Sequence, residues 1–136
     1  MPSFSVLVPV YNESKTIKTV LDNVCSLDFI DQVIVVDDGS EDESFEIIQR
    51  HDSPKIQSHR LSQNQGKTAA INFALKHAGT DIVAIQDADL EYDPAELQEM
   101  LVPIEKGVAD VVYGSRFLVK KASRVLYFYH YLANKF

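Results

Sequence analysis

Three carboxylates at alternate positions close an apolar run in Ile85-Gln86-Asp87-Ala88-Asp89-Leu90-Glu91. In an extended segment, side chains at i, i+2 and i+4 project to one side, so this spacing predicts that Asp87, Asp89 and Glu91 converge on one point. Carboxylates held that close repel one another unless a cation lies between them. A set made only of oxygens suits a hard ion, Mg2+ or Mn2+. The chemistry this implies is the handling of a metal-bound, phosphate-bearing substrate.

Such a cluster needs a scaffold, and the rest of the chain reads as one. Phe4 to Val10, Gln32 to Val36, Lys55 to His59, Asp81 to Ile85 and Asp110 to Tyr113 are short, apolar and rich in Val and Ile, the pattern of strands buried on both faces. Ile17, Val20, Leu21 and Val24 repeat at helical spacing, as do Leu97, Met100, Leu101 and Ile104. Ser40 with Glu43, and Asp93 with Glu96 behind Pro94, have capping-box spacing, and Gly79 and Gly107 read as helix stops. Five strands joined through helices predict a three-layer, doubly wound, mostly parallel α/β sheet in a single domain over residues 1–136.

In open parallel sheets ligands bind beyond the carboxyl ends of the strands. There the sequence places Pro9-Val10-Tyr11-Asn12-Glu13, Val36-Asp37-Asp38-Gly39-Ser40, the carboxylate set, and Gly114-Ser115-Arg116. Asp37 and Asp38 either start a turn and cap the next helix, or accept hydrogen bonds from a base's ring N–H or from ribose hydroxyls. Tyr11 either covers the core edge or stacks on a nucleobase. Arg116 either pairs with a nearby acid or forks onto a diphosphate, which guanidinium geometry suits. Lys67, at the opening of a helix, is either a solvated lysine or faces a phosphate.

Other readings fail on spacing. Gly66-Lys67-Thr68 is no P-loop, because Leu61 stands where the first glycine is needed. No G-x-G-x-x-G is present, which argues against a dinucleotide enzyme. The four histidines, at 51, 59, 77 and 130, lack metal-ligand spacing, and Cys25 reads as a small buried thiol.

Taken together, Val8-Pro9-Val10-Tyr11-Asn12-Glu13, Val35-Val36-Asp37-Asp38-Gly39-Ser40, Asn64-Gln65-Gly66-Lys67, Asp87 through Pro94 and Gly114-Ser115-Arg116-Phe117 resemble the inverting glycosyltransferases of family 2, which have the GT-A fold. Within that family the chain is most similar to the branch of dolichol-phosphate mannose synthases and polyprenyl-phosphate glucosyltransferases. The resemblance implies the Rossmann-like, nucleotide-binding half of a GT-A fold. Pro9, Tyr11, Glu13, Asp38 and Asp37 would hold the nucleoside. Asp87 and Asp89 match the DxD-type pair that binds a diphosphate through Mg2+ or Mn2+, and Glu91 stands at a third ligand position. Asp89, through the ion, and Arg116 would be the catalytic residues, Arg116 meeting the diphosphate or the acceptor phosphate. The donor would be a UDP- or GDP-hexose and the acceptor a polyprenyl phosphate. Two rival classes fit less well: a metal-dependent nucleotidyltransferase would carry a basic glycine-rich loop after the first strand, and a signalling module of the receiver type would place its acidic pair there.

Charge separates the chain into two parts. Residues 1–113 carry all twenty acids against eight Lys and Arg, a formal −12, and residues 114–136 carry five cations and no acid. The acidic body argues against a nucleic-acid binder. The basic segment interleaves Tyr127, Phe128, Tyr129, Tyr131 and Phe136 with Lys and Arg, which suits a membrane interface bearing an anionic lipid phosphate, or association between copies of the chain. No apolar run approaches the ~20 residues of a membrane span. The expected location is therefore cytoplasmic and peripheral. The final residues read as an unfinished helix, so the chain is expected to be the donor-binding half of a longer enzyme.

Overall fold

The computed structural model describes residues 2–114. The chain divides into two compact units, Met1–Ala95 and a second beginning at Glu96. The first contains β1 (Phe4–Val10), α1 (Ile17–Cys25), β2 (Gln32–Asp37), α2 (Ser44–Arg50), β3 (Ile56–Arg60), α3 (Lys67–Leu75) and β4 (Ile82–Ile85). A 3-10 turn at Pro94–Glu96 then leads into α4 (Leu97–Glu105).

The strands form a sheet of order β3-β2-β1-β4 in which every pairing is parallel. Leu7 sits opposite Ile34, and Pro9 opposite Val36. This register puts Leu7, Ile34 and Val36 on one face, where they pack with Leu61 and with Ala70, Ile71 and Ala74 of α3. Alternation sends Val6, Val8, Val33 and Val35 to the other face, and these too are fully buried. The cover on that side comes from α2, which touches β2 and β3, and from α1, which packs on α2. All four positions of the apolar stripe of α1, Ile17, Val20, Leu21 and Val24, are buried. Each such side chain contributes about 1.5–3 kcal/mol by leaving water. The three-layer α/β expectation holds.

Several local expectations change. Among the described residues the sheet has four strands, and 110–113 are irregular. An apolar pattern becomes a strand only where a ladder partner takes up its N–H and C=O groups. β3 is an edge strand and is only partly buried, with polar Gln57 and His59 on its α3 side. Ser40 does not cap α2, which starts later at Ser44; its hydroxyl accepts the Asn12 N–H at 2.9 Å instead. Gly79 lies beyond the end of α3 without a left-handed φ, whereas Gly107, with φ 73°, does terminate α4. Asp93 Oδ1 accepts the Ala95 N–H at 3.0 Å and opens the 3-10 turn, while α4 itself starts at Leu97 without a side-chain cap. No helix among the described residues is long and apolar enough to cross a membrane.

Candidate functional site

The chain reverses direction across the sheet at β1, with β2 and β3 to one side and β4 to the other. At such a switch point the connections leaving β1 and β4 run apart and leave a crevice at their carboxyl ends. The loops around it are tied to one another by side chains. The Glu13 N–H donates to Ser44 Oγ at 2.8 Å, and the Glu41 N–H to Asn12 Oδ1 at 2.8 Å, joining the β1–α1 and β2–α2 loops. Asp42 adds to this joint, its two oxygens accepting from the N–H groups of Ser44 and Ser14 at 2.9 and 3.2 Å. Burial pushes the Asp42 pKa up, yet the hydrogen bonds from Ser44 and Ser14 outweigh it and hold the carboxyl below its usual range. Thr16 completes the frame: its hydroxyl donates to the Ala88 carbonyl after β4 and lies 3.2 Å from Glu13 Oε2.

The crevice is an open cavity of about 200 Å3 lined by Pro9, Val10, Tyr11, Glu13, Asp38, Lys67, Ala70, Asp87, Ala88 and Asp89. Asp38 is 3% exposed, and its two oxygens accept the N–H groups of Gln65 and Gly66 at 2.8 and 2.9 Å. It therefore clamps the loop that launches α3 and fixes where Lys67 starts. Gly39 permits this approach: it has φ 72°, and a Cβ there would lie 2.6 Å from Asn64 N and 2.7 Å from Gln63 C. Only glycine fits between two backbones this close. Lys67 Nζ pairs with Asp87 Oδ1.

The carboxylate set is not extended. β4 ends at Ile85, residues 88 and 89 form a turn, and Leu90 takes φ 63°. Asp89 Oδ1 accepts the Glu91 N–H at 3.0 Å, closing an Asx-type turn. The i, i+2, i+4 geometry therefore does not apply: Asp87 and Asp89 line the cavity and Glu91 does not. Among the described residues no three acidic, His or Cys side chains gather as a metal cluster.

Of the residues singled out by sequence, Pro9, Tyr11, Glu13, Asp38, Lys67, Asp87 and Asp89 are brought together. Asp37 is not in the lining. It is fully buried, its Oδ2 accepting the Ser40 N–H at 3.0 Å and lying 3.5 Å from Arg60 Nε, so it holds the turn beneath the site. Its Oδ1 is buried without a hydrogen-bond partner. Arg116 and the basic aromatic segment lie outside the described residues. Sequence reasoning missed Thr16, Ser44 and the role of Gly39. Their partners are 72, 31 and about 25 residues away, and no local pattern signals such contacts.

Among the described residues the lining carries four carboxylates against one ammonium group. Two like unit charges 4 Å apart repel by about 4 kcal/mol at an effective dielectric of 20. A diphosphate entering alone would thus be opposed. Asp87 and Asp89 supply hard oxygen donors, and one or two carboxylates plus substrate phosphates and water are how Mg2+ is commonly held. The residues present fit a divalent ion shared with a diphosphate.

The model of the family described as Glycosyl transferase family 2 matches residues 5–132. The chain belongs to glycosyl transferase family 2. Among relatives, it is 36% identical over 116 residues to the undecaprenyl-phosphate 4-deoxy-4-formamido-L-arabinose transferase of Pseudomonas syringae, covering 79% of this chain and 34% of the relative. It is 30% identical over 128 residues to the UDP-N-acetylglucosamine–dolichyl-phosphate N-acetylglucosaminyltransferase of Methanococcus voltae, covering 82% and 51%. Among solved structures, a mannosyltransferase from Pyrobaculum calidifontis in complex with GDP-Man and Mn2+ superposes with a TM-score of 0.64 at 32% identity, covering 83% of this chain and 34% of that one. This family-2 chain therefore shares the parallel α/β architecture of GT-A glycosyltransferases, and it spans about a third to a half of the length of these three proteins.

Proposed function

We propose that this family-2 chain binds a UDP- or GDP-hexose in the cavity at the β1/β4 switch point and serves transfer of the hexose to a polyprenyl phosphate. The observation that carries the reading is the convergence of Tyr11, Asp38, Lys67, Asp87 and Asp89 from four separate segments onto one cavity. The relatives named above act on polyprenyl phosphates, and the similar structures include one holding a GDP-sugar with Mn2+.

Each side chain has a task. Tyr11 is 42% exposed, leaving its ring face open to stack on a base. Asp38 keeps free lone pairs beyond its two loop bonds and can accept from ribose hydroxyls. Asp87 and Asp89 would hold the divalent ion, which when bound neutralises the diphosphate and its growing charge as the C1–O bond breaks. Lys67 adds a point charge toward the same oxygens. The acceptor phosphate has a second pKa of about 6 and is largely ionised near neutral pH, so attack at C1 needs little help from a protein base. Single displacement of this kind inverts the anomeric carbon. The basic, aromatic composition of residues 120–136 supports a peripheral location at the membrane surface, where such an acceptor resides.

Calorimetry with UDP, GDP, CDP and ADP, each with and without Mn2+, tests the reading. UDP or GDP should bind, and Mn2+ should tighten that binding; Asp89→Asn should abolish the Mn2+-dependent gain. Binding of no nucleotide, or equal affinity with and without Mn2+, would reject it.

A further inference from the structure

We propose that Lys67 is an internal placeholder cation. It occupies the Asp87 carboxylate until a divalent ion arrives, and the donor's diphosphate draws it away. The inference rests on the function proposed above and concerns how ion and nucleotide binding are coupled.

Among the described residues, Lys67 is the single cation in a lining that also holds Glu13, Asp38, Asp87 and Asp89. Two of those carboxylates are already engaged by the protein: Asp38 by two backbone N–H groups and Asp89 by the Glu91 N–H. Asp87 is satisfied instead by the Lys67 ammonium. The backbone under Lys67 is anchored, because Asp38 grips Gln65 and Gly66 immediately before it. The side chain above that anchor is 58% exposed and has four rotatable bonds, so the ammonium can move while its Cα stays in place.

This arrangement sets up a competition. A divalent ion approaching Asp87 without nucleotide meets an oxygen already neutralised and a positive charge beside it. A diphosphate entering with the ion offers Lys67 new oxygens and frees Asp87. Ion and nucleotide then strengthen each other's binding by more than direct coordination alone supplies, and by linkage the gain is the same whichever binds first. An exposed ion pair of this kind is worth up to about 1 kcal/mol, or about five-fold in affinity at room temperature.

The test is a titration of Mn2+ without nucleotide, following the free aquo ion by electron paramagnetic resonance. The variants are Lys67→Met, which removes the charge at similar volume, and Lys67→Arg, which keeps it. Lys18→Met, in the exposed pair with Asp22 on α1, controls for overall charge. Lys67→Met should bind Mn2+ about five-fold more tightly than the unaltered chain, with Lys67→Arg and Lys18→Met close to it. With Mn2+ saturating, Lys67→Met should bind UDP or GDP more weakly. Nucleotide-dependent Mn2+ binding combined with equal nucleotide-free Mn2+ affinity in all four proteins would overturn the placeholder and leave the proposed function standing. No Mn2+ binding even with nucleotide present would overturn both.

Discussion

Asp38→Asn isolates the clamp on which the site depends. The carboxylate takes two backbone N–H groups, Gln65 at 2.8 Å and Gly66 at 2.9 Å, from a nearly buried position. An amide in its place has one oxygen, so one N–H keeps an acceptor and the other faces an NH2 group that cannot accept. A bond to a charged acceptor is worth about 1.5–3 kcal/mol, and an orphaned buried donor costs a similar amount. Gln65 is exposed and Gly66 half-buried, so water recovers part of that loss and the lower end applies. The expected destabilisation is about 2 kcal/mol, which at a urea slope near 2 kcal/mol/M moves the unfolding midpoint down by about 1 M. Equilibrium urea unfolding followed by far-UV circular dichroism measures it. A midpoint within about 0.2 M of the unaltered chain would refute the clamp.

Gly39→Ala should cost at least about 3 kcal/mol or prevent folding, since the new Cβ meets two backbone atoms within 2.7 Å at φ 72°; a thermal melt reads the loss, and an unchanged melting temperature would contradict it. Thr16→Val should lose about 1–2 kcal/mol and weaken nucleotide binding although Thr16 does not line the cavity, because the hydroxyl ties Ala88 to the β1–α1 loop; calorimetry and urea unfolding report the two effects separately. Burial, with the charge of neighbouring His77 second, holds His59 below its ordinary 6.5, so as pH falls below 6.5 the unfolded chain takes up that proton first. Stability should be full above about 6.5 and decline below it until the folded ring protonates too. His59→Gln should flatten that part of the profile, measured by urea midpoints between about pH 5 and 8.

The scaffold was legible because its strongest signals are local. β1 and β2 are covered on both faces and read as continuous apolar runs, and the stripe of α1 needs only helical spacing. The cavity lining was largely legible too, because loops at strand ends in a parallel sheet share a side whatever their contacts. What sequence could not show depended on partners far along the chain. Ser40 has the spacing of a helix cap, but its hydroxyl serves a neighbouring loop. Asp37 and Asp38 look equivalent, yet one lies under the turn and the other in the lining. Nothing in Asp-Ala-Asp-Leu-Glu announces the left-handed Leu90 that turns Glu91 away from the cavity lining.

In the proposed function, Asp87 and Asp89 together hold a divalent ion against a nucleotide's diphosphate. Anomalous diffraction at the manganese edge, from crystals grown with Mn2+ and whichever of UDP or GDP binds, tests it directly. One peak is expected, flanked by both carboxylates and by the diphosphate oxygens, with Lys67 no longer on Asp87. A nucleotide seated elsewhere, or a diphosphate bound in this cavity without an ion between it and those carboxylates, would contradict it.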